Sequence, residues 1–171
     1  MTISMSSASV PVFCTMLGNL SHILDKAEAH AQARKFDPVA LIQYRLAPDM
    51  LPFSRQVQIA CDGPKNCVAR LSGIEAPKFE DTESTFAELK ARIRKTLDYL
   101  ESVPSQGLDG TEDKDITFPV GRDTTRTMKG EAYLKHWALP NLFFHITTAY
   151  DILRHNGVEL GKSDYLLGAK A

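Results

Sequence analysis

The chain has 171 residues, of which 43% are hydrophobic and 24% are charged, and its formal net charge is -1. These values are ordinary for a globular protein, and we expect a single domain over residues 1–171. A net charge near zero gives no electrostatic reason to expect binding to nucleic acid or to an anionic membrane. No apolar run approaches the roughly 20 residues that a membrane span needs, and the N-terminus lacks the basic start of a secretory signal. A cytoplasmic location is therefore expected.

The cysteines are Cys14, Cys61 and Cys67, and they form no CxxC motif. Three cysteines cannot all pair with one another. Reduced, buried thiols are therefore expected rather than a redox or zinc role.

Two long helices are predicted in the first half of the chain. Between Ser4 and Lys35 apolar residues recur at three- and four-residue steps, which indicates the first long helix. Asp37-Pro38 interrupts it, and Val39 to Tyr44 is predicted as a short helix across the end of the bundle. The second long helix is predicted to open at Pro48-Asp49 and to stop at Gly73.

A proline lies inside the second predicted helix, at Gly63-Pro64. It removes one intrahelical hydrogen bond and crowds the carbonyl group of Ala60. A kink or a short interruption is therefore expected there.

The third long helix follows Thr82 to Thr85 and has a regular apolar stripe through Leu100. Its basic residues are expected to face water: Lys90, Arg92, Arg94 and Lys95.

A hairpin is predicted between the third and the last long helix. The runs Ile116 to Val120 and Thr124 to Met128 flank Gly121-Arg122-Asp123, which is a hairpin signal. Two strands are not stable alone, so they should lie on the helices. Gly130 to Leu139 is predicted as a short helix.

The last long helix is predicted from Pro140 to His155, with Gly157 closing it in the left-handed conformation. Its apolar residues cover more than half of its circumference, which favours burial on several sides. With the three earlier long segments it predicts an all-α protein, an up-down-up-down four-helix bundle with a small β-hairpin inserted before the last helix. After it, Lys162 to Tyr165 either closes over one end of the bundle or forms a polar terminus.

Two side chains of the last helix are candidate metal ligands. Asp151 and His155 are four residues apart and therefore lie on one face. A carboxylate and an imidazole suit zinc, nickel, iron or manganese, and Gln58 or Asp62 on the second helix offers a third ligand. The alternative is structural: Asp151 pairs with His155 or Arg154, and His155 complements the helix dipole.

His145 is the polar residue most expected in the interior, because it lies one turn before Ala149 on the last helix. A buried imidazole needs hydrogen-bond partners, and Gln58 or Asp62 on the second helix are the leading candidates. Thr148 and Tyr150 are neighbours that would line the same pocket, although packing alone also explains the tyrosine.

Two runs, PNLFFHITTAYDILRHNGVELGKSDYL and DMLPFSRQVQIACD, resemble an uncharacterised bacterial family that is grouped with the DinB/YfiT-like helical bundles. The resemblance implies a four-helix bundle, often a homodimer. In the wider superfamily it implies a divalent-metal site of three histidines, one on the second helix and two on the last helix as HxxxH. The last-helix pair falls on Asp151 and His155, and the second-helix ligand falls within Gln58 to Asp62, where no histidine is present.

Taken with these residues, the resemblance implies a small-molecule-binding or interaction protein with a degenerate metal site. The alternative is a divalent-metal-dependent enzyme, with zinc or nickel, resembling the DinB-like thiol transferases. The expected partners are a second copy of the chain and a small-molecule ligand.

Overall fold

A computed structural model describes residues 3–121 and 123–170 of the chain. In this part of the chain the long helices number four, as predicted, and shorter elements lie between them. The helices are α1 (Met5–Arg34), α2 (Val39–Ile42), α3 (Phe53–Ser72), α4 (Phe86–Ser102), α5 (Gly130–Tyr133), α6 (Leu139–His155) and α7 (Lys162–Leu167), and the strands are β1 (Asp115–Pro119) and β2 (Thr125–Lys129).

The long helices pack as a closed ring. Helix α3 lies against α4 and α6, α4 lies against α1, and α1 also contacts α6. Each helix turns its apolar stripe inward, so residues such as Leu20, Val57, Ile93 and Ile146 are almost fully buried in one continuous core. The expected four-helix bundle is confirmed.

The ends of the helices follow local sequence signals. Ser4 caps α1, and α4 begins with a reciprocal capping box between Thr85 and Glu88. Helix α3 ends at Gly73, which has the left-handed conformation expected there, with φ of 80°. Its start differs from the prediction: α3 begins at Phe53 rather than at Pro48-Asp49, because Pro52 holds extended backbone just before it.

Pro64 lies inside α3, and the helix continues through it, so of the two expected outcomes, a kink or a short interruption, the interruption is absent. The preceding Gly63 allows α6 to approach closely, since a Cβ atom there would lie 3.3 Å from the Asn141 side-chain nitrogen. Packing against α6 therefore holds the segment helical although one backbone bond is lost.

The predicted hairpin is present as an antiparallel pair, in the register Ile116↔Met128 and Phe118↔Arg126. Its predicted turn includes Arg122, which lies outside the described residues. The segment Gly130 to Leu139, expected as a short helix, is α5 followed by a π-helical turn at Leu134–Ala138 that runs directly into α6.

The C-terminal segment packs along α1. Asp164 on α7 is buried, and its carboxylate accepts hydrogen bonds from His22 and Lys26 of α1. Asn19 of α1 donates to the carbonyl oxygen of Tyr165 at 2.8 Å. Of the two alternatives for this segment, the contacts favour docking on the bundle.

Cys61 and Cys67 are buried and form no disulfide in the described structure. Burial raises the pKa of both thiols to about 12, which keeps them protonated. Over residues 3–121 and 123–170, no helix combines the length and the apolar character that crossing a membrane requires.

Candidate functional site

A cleft of about 210 Å³ lies where α3 meets the hairpin and the junction between α5 and α6. One wall is aromatic, the floor is α3, and polar side chains of α3 and α6 reach its edge. Its polar and aromatic lining residues are Asp62, Asn66 and Arg70 of α3, Phe118 of β1, Tyr133 of α5, Trp137 of the π-helical turn, and Asn141 of α6.

The aromatic wall is formed by Phe118, Tyr133 and Trp137. The Phe118 ring lies 4.7 Å from the Tyr133 ring and 4.9 Å from the Trp137 ring, in tilted contacts. Phe118 is placed by strand alternation, because β1 buries every second residue. Tyr133 and Trp137 are placed by Gly130, whose missing side chain lets α5 begin against the carbonyl oxygen of Thr111.

Two asparagines face this wall with their hydrogen-bonding groups free. Asn66 and Asn141 are half-buried, line the cleft, and have no side-chain hydrogen bond to another described residue. Most polar groups inside proteins are paired, so two free carboxamides in one concave surface are available to a ligand.

Arg70 and Tyr133 form a polar pair in the same cleft. The Nη1 group of Arg70 donates to the Tyr133 hydroxyl oxygen at 2.8 Å, and its guanidinium lies over the Phe118 ring at 5.8 Å. Burial raises the pKa of Tyr133 to about 12, the buried Cys67 adds to this, and Arg70 opposes it. The hydroxyl therefore keeps its proton and can donate a hydrogen bond.

Asp62 also lines the cleft, but its charge is compensated. Its Oδ2 atom lies 3.0 Å from Arg92 Nη2, and its Oδ1 atom lies 2.8 Å from Lys65 Nζ. The Oδ1 contact is an ion pair whose angle is too poor for a hydrogen bond.

Arg92 is the centre of a cluster that the sequence did not predict. Its side chain is 1% exposed and pairs with Asp62, Asp81 and Glu83, each at 3.0 Å. The expectation that Arg92 faces water is therefore wrong. Residues 80–83 fold across α4 and cover it, which is a long-range contact that helical periodicity does not reveal.

Gln58 belongs to the same cluster rather than to a metal site. Its amide oxygen accepts from Arg55 Nη1 at 2.7 Å, and its amide nitrogen donates to Glu83 Oε2 at 2.8 Å. Both hydrogen-bonding ends of this buried side chain are thus occupied.

His145 has the partner on α3 that was expected, but that partner is Gln56 rather than Gln58 or Asp62. The Nδ1 atom of His145 lies 2.8 Å from Gln56 Oε1. The ring is half-buried, and this burial lowers the pKa of His145 to about 4.

The other predicted pocket residues have local roles. The Thr148 hydroxyl donates to the carbonyl oxygen of Phe144 at 2.8 Å, one turn back on α6. The Tyr150 hydroxyl lies 3.5 Å from the Leu160 carbonyl oxygen, and its ring contacts Tyr165 edge to face. Neither these two residues nor His145 line the cleft.

Asp151 and His155 lie near the opposite end of α6 from Asn141. The His155 ring is 6.0 Å from the Tyr44 ring, and Arg154 donates to the Val158 carbonyl oxygen. Within the described structure Asp151 forms no ion pair with either residue, so the structural pairing considered above is not formed.

The residues present do not fit the metal site that the resemblance implies. Across residues 3–121 and 123–170, no three His, Cys, Asp or Glu side chains come together as a group that could hold a metal ion. Asp62 forms ion pairs with two cations, and both ends of the Gln58 amide are hydrogen-bonded. Asp151 and His155 lie elsewhere on the bundle.

Sequence reasoning missed the cleft because its residues come from four separate segments. The available signal was Gly63 itself, since a glycine inside a helix can mark a close approach, and here the approaching residue is Asn141 of α6. The pairing of Trp137 with Phe118 depends on the π-helical turn, for which no sequence pattern was apparent.

Comparison with known proteins agrees with this fold. No curated protein is significantly similar to the chain. The crystal structure of a DinB family member protein from Shewanella denitrificans is 47% identical, covers 94% of this chain and 90% of its own, and superposes with a TM-score of 0.85. Residues 5–166 match the family described as a domain of unknown function, DUF1993. The chain therefore belongs to the DUF1993 family and has the DinB-like helical fold.

Proposed function

We propose that this protein binds a small organic molecule in the cleft between α3, the hairpin and the α5–α6 junction. The observation that carries the proposal is an aromatic wall opposite polar groups that have no partner within the described residues. Ligand sites in proteins combine apolar and aromatic walls with a few convergent polar groups. Asn66 and Asn141 supply both donors and acceptors, and Arg70 supplies a cation.

The size of the cleft limits the ligand. Sites for drug-sized molecules have volumes of about 300–1,000 Å³, whereas this cleft has about 210 Å³. A single aromatic ring with one or two polar substituents is the size that fits. Of the aromatic residues that line the cleft, Trp137 is only half-buried, so its ring is the one that such a ligand would contact.

The local backbone also supports this assignment. The π-helical turn Leu134–Ala138 carries Trp137 into the cleft and joins α5 to α6. Such turns are uncommon and frequently occur at functional sites, because the widened helix redirects a side chain.

The single tryptophan of the chain provides the assay, since Trp137 lies in the cleft. The protein is titrated with benzoate, benzamide and benzylamine while the emission of Trp137 and the melting temperature are followed. We expect a saturable change in emission and a higher melting temperature with at least one compound. Asn66→Phe, which fills the cleft, should abolish the response, and Gln32→Phe on the exposed side of α1 should preserve it. No saturable response to any compound at millimolar concentration contradicts the proposal.

Self-association is a second proposal. It is supported by the breadth of apolar surface on α6, where Phe143 and Phe144 are 37% and 57% exposed. Exposed apolar surface of this kind is typical of interfaces, and a two-fold contact would use the same patch twice. Light scattering at micromolar concentration should give about twice the monomer mass of 19.0 kDa. A mass of one monomer contradicts it.

A further inference from the structure

We propose that Arg70 and Tyr133 form an anion-binding subsite, so that the ligand of the cleft is a small aromatic carboxylate. This inference rests on the proposed function, because it assigns the chemistry of the molecule that the cleft takes. It starts from Arg70, the cation that lines the cleft, because no carboxylate among the described residues pairs with it.

Arg70 differs from the other cations of α3. Arg55 pairs with Asp81, and Lys65 pairs with Asp62. No carboxylate of the described residues lies within ion-pair distance of the Arg70 guanidinium, whose side-chain hydrogen bond there goes to the neutral Tyr133 hydroxyl. Its charge is therefore available to an anion that enters the cleft.

The Arg70 guanidinium is also held in place. Its central carbon lies 5.8 Å from the Phe118 ring centre and 6.0 Å from the Tyr133 ring centre. The contact with Tyr133 fixes one nitrogen, so less conformational freedom is lost when the remaining N–H groups bind. A planar guanidinium with free N–H groups matches a planar carboxylate.

The charges around the cleft favour an anion. Asp62 is the carboxylate that lines it, and Lys65 and Arg92 compensate its charge at 2.8 and 3.0 Å. Arg70 then leaves a local excess of positive charge. The protonated Tyr133 hydroxyl adds a neutral donor beside the guanidinium. One cation and one hydroxyl suit a monoanion.

A purely structural role for Arg70 predicts something different. If the side chain only supports Tyr133 and the hairpin, its replacement lowers stability and weakens all ligands of the cleft alike. The subsite instead predicts a selective loss of carboxylate binding. The discriminating quantity is therefore the ratio of the dissociation constants for benzoate and benzamide, which share ring and size but differ in charge.

The experiment uses the full chain and isothermal titration calorimetry with benzoate, benzamide and benzylamine. We expect the parent to bind benzoate at least about tenfold more tightly than benzamide, and to bind benzylamine most weakly. Arg70→Gln should remove that preference and leave benzamide unchanged. Arg70→Lys should retain part of it, and Arg34→Gln on the exposed end of α1 should retain all of it. Tyr133→Phe keeps the ring, removes the hydroxyl, and should weaken benzoate alone, which tests the subsite even if Arg70→Gln fails to fold.

The outcomes separate the two proposals. Equal binding of benzoate and benzamide by the parent overturns the anion subsite and leaves the cleft as a ligand site. A parallel loss of both compounds in Arg70→Gln also overturns it, in favour of a structural role. Binding of none of the three compounds overturns the proposed function together with this inference.

Discussion

The Nδ1 atom of His145 lies 2.8 Å from the Oε1 atom of Gln56, so a polar contact joins α6 to α3. The Nε2 group of the same glutamine donates to the Leu51 carbonyl oxygen at 3.0 Å. An amide oxygen only accepts, so this network assigns the proton of the neutral imidazole to Nδ1. The contact thus links α6, α3 and the segment that precedes α3.

His145→Leu should lower the free energy of unfolding by about 1–3 kcal/mol, because it leaves the buried Gln56 oxygen without a donor. Urea denaturation measures the change. The matched control is His136→Leu, at an exposed position of the π-helical turn, which should shift stability by no more than about 0.5 kcal/mol. The double variant that also carries Gln56→Leu should lose less stability than the sum of the losses in the two single variants, because the residues are in contact. Unchanged or higher stability of His145→Leu shows that the contact does not stabilise the fold.

The same histidine should make stability depend on pH. Burial lowers the pKa of His145 from 6.5 to about 4 in the folded protein. As the pH falls from about 6.5 towards 4, the unfolded chain takes up a proton at this site and the folded chain does not. Above about pH 6.5 the protonation of His145 therefore costs the folded protein no stability. As the pH falls from 6.5 towards 4, the free energy of unfolding decreases progressively.

His145→Gln tests this dependence, because glutamine can still bond to Gln56 and does not titrate. Unfolding free energies of the parent and the variant are compared between pH 7 and pH 4. The parent should lose more stability than the variant over this range. Parallel profiles would show that the imidazole is as easily protonated in the folded protein as in the unfolded chain.

Arg92 is expected to be the most sensitive charged position of the bundle. Arg92→Met removes the cation shared by Asp62, Asp81 and Glu83 and leaves their carboxylates facing one another. The free energy of unfolding should fall by about 3 kcal/mol, the lower end of the range for breaking a buried ion pair, because Asp81 is partly exposed.

The control for Arg92 lies two residues further along α4. Arg94 is 61% exposed and pairs with Asp98 at the surface, so Arg94→Met should cost no more than about 1 kcal/mol. Equal losses of unfolding free energy in the two variants would show that burial of the Arg92 ion pairs does not add to their effect on stability.

The positions of the long helices could be predicted because their stripes are local. The steps of three and four residues in α1 and α4, the capping residue Thr85 and the left-handed Gly73 are all signals within a few residues of the elements they define. The start of α3 was misplaced because Pro48-Asp49 and Pro52 offer similar signals. In the structure the Phe53 N–H donates to the Tyr44 carbonyl oxygen at 2.8 Å, a contact with the preceding segment that favours a start at Phe53.

The candidate site could be predicted only in part. The histidine of α6 was linked to α3 as the structure has it, although its partner Gln56 lies two residues, about half a turn, before Gln58, the closer of the two expected partners. Arg70 and Trp137 were missed because their environment comes from the hairpin, which is separated from α3 by all of α4. Contacts of this range leave no periodic trace in one sequence.

The metal content of the protein is a direct prediction. Protein purified without a histidine tag should contain far less than one equivalent of zinc or nickel, since the candidate ligands Asp62, Asp151 and His155 do not form one group in the described structure. Elemental analysis measures this. Asp151→Ala and His155→Ala should leave the melting temperature unchanged whether or not zinc is added. Stoichiometric metal that is lost in both variants would contradict this prediction and support the hypothesis of a metal-dependent enzyme.

The contact between Asp164 and α1 should control whether the C-terminal segment stays docked. The carboxylate accepts hydrogen bonds from Lys26 Nζ at 2.9 Å and from the Gly161 N–H at 2.7 Å, and it also contacts His22. Burial tends to raise the pKa of Asp164, but the Gly161 N–H, Lys26 and His22 together outweigh it and lower the pKa below its usual value. The contact is therefore complete above the ordinary pKa of an aspartate and is lost only as the pH falls through the lowered value.

Asp164→Ala removes all three contacts at once and leaves Lys26 without a partner in a half-buried position. Local opening of a segment needs less free energy than global unfolding, so α7 should open while the bundle remains folded. Hydrogen exchange should become faster in residues 162–170 and stay unchanged in residues 139–155. Glu159→Ala, at an exposed position of the connection to α7, is the control and should leave both regions as they are. Unaltered protection of residues 162–170 in Asp164→Ala would show that apolar packing, and not the carboxylate, holds this segment on α1.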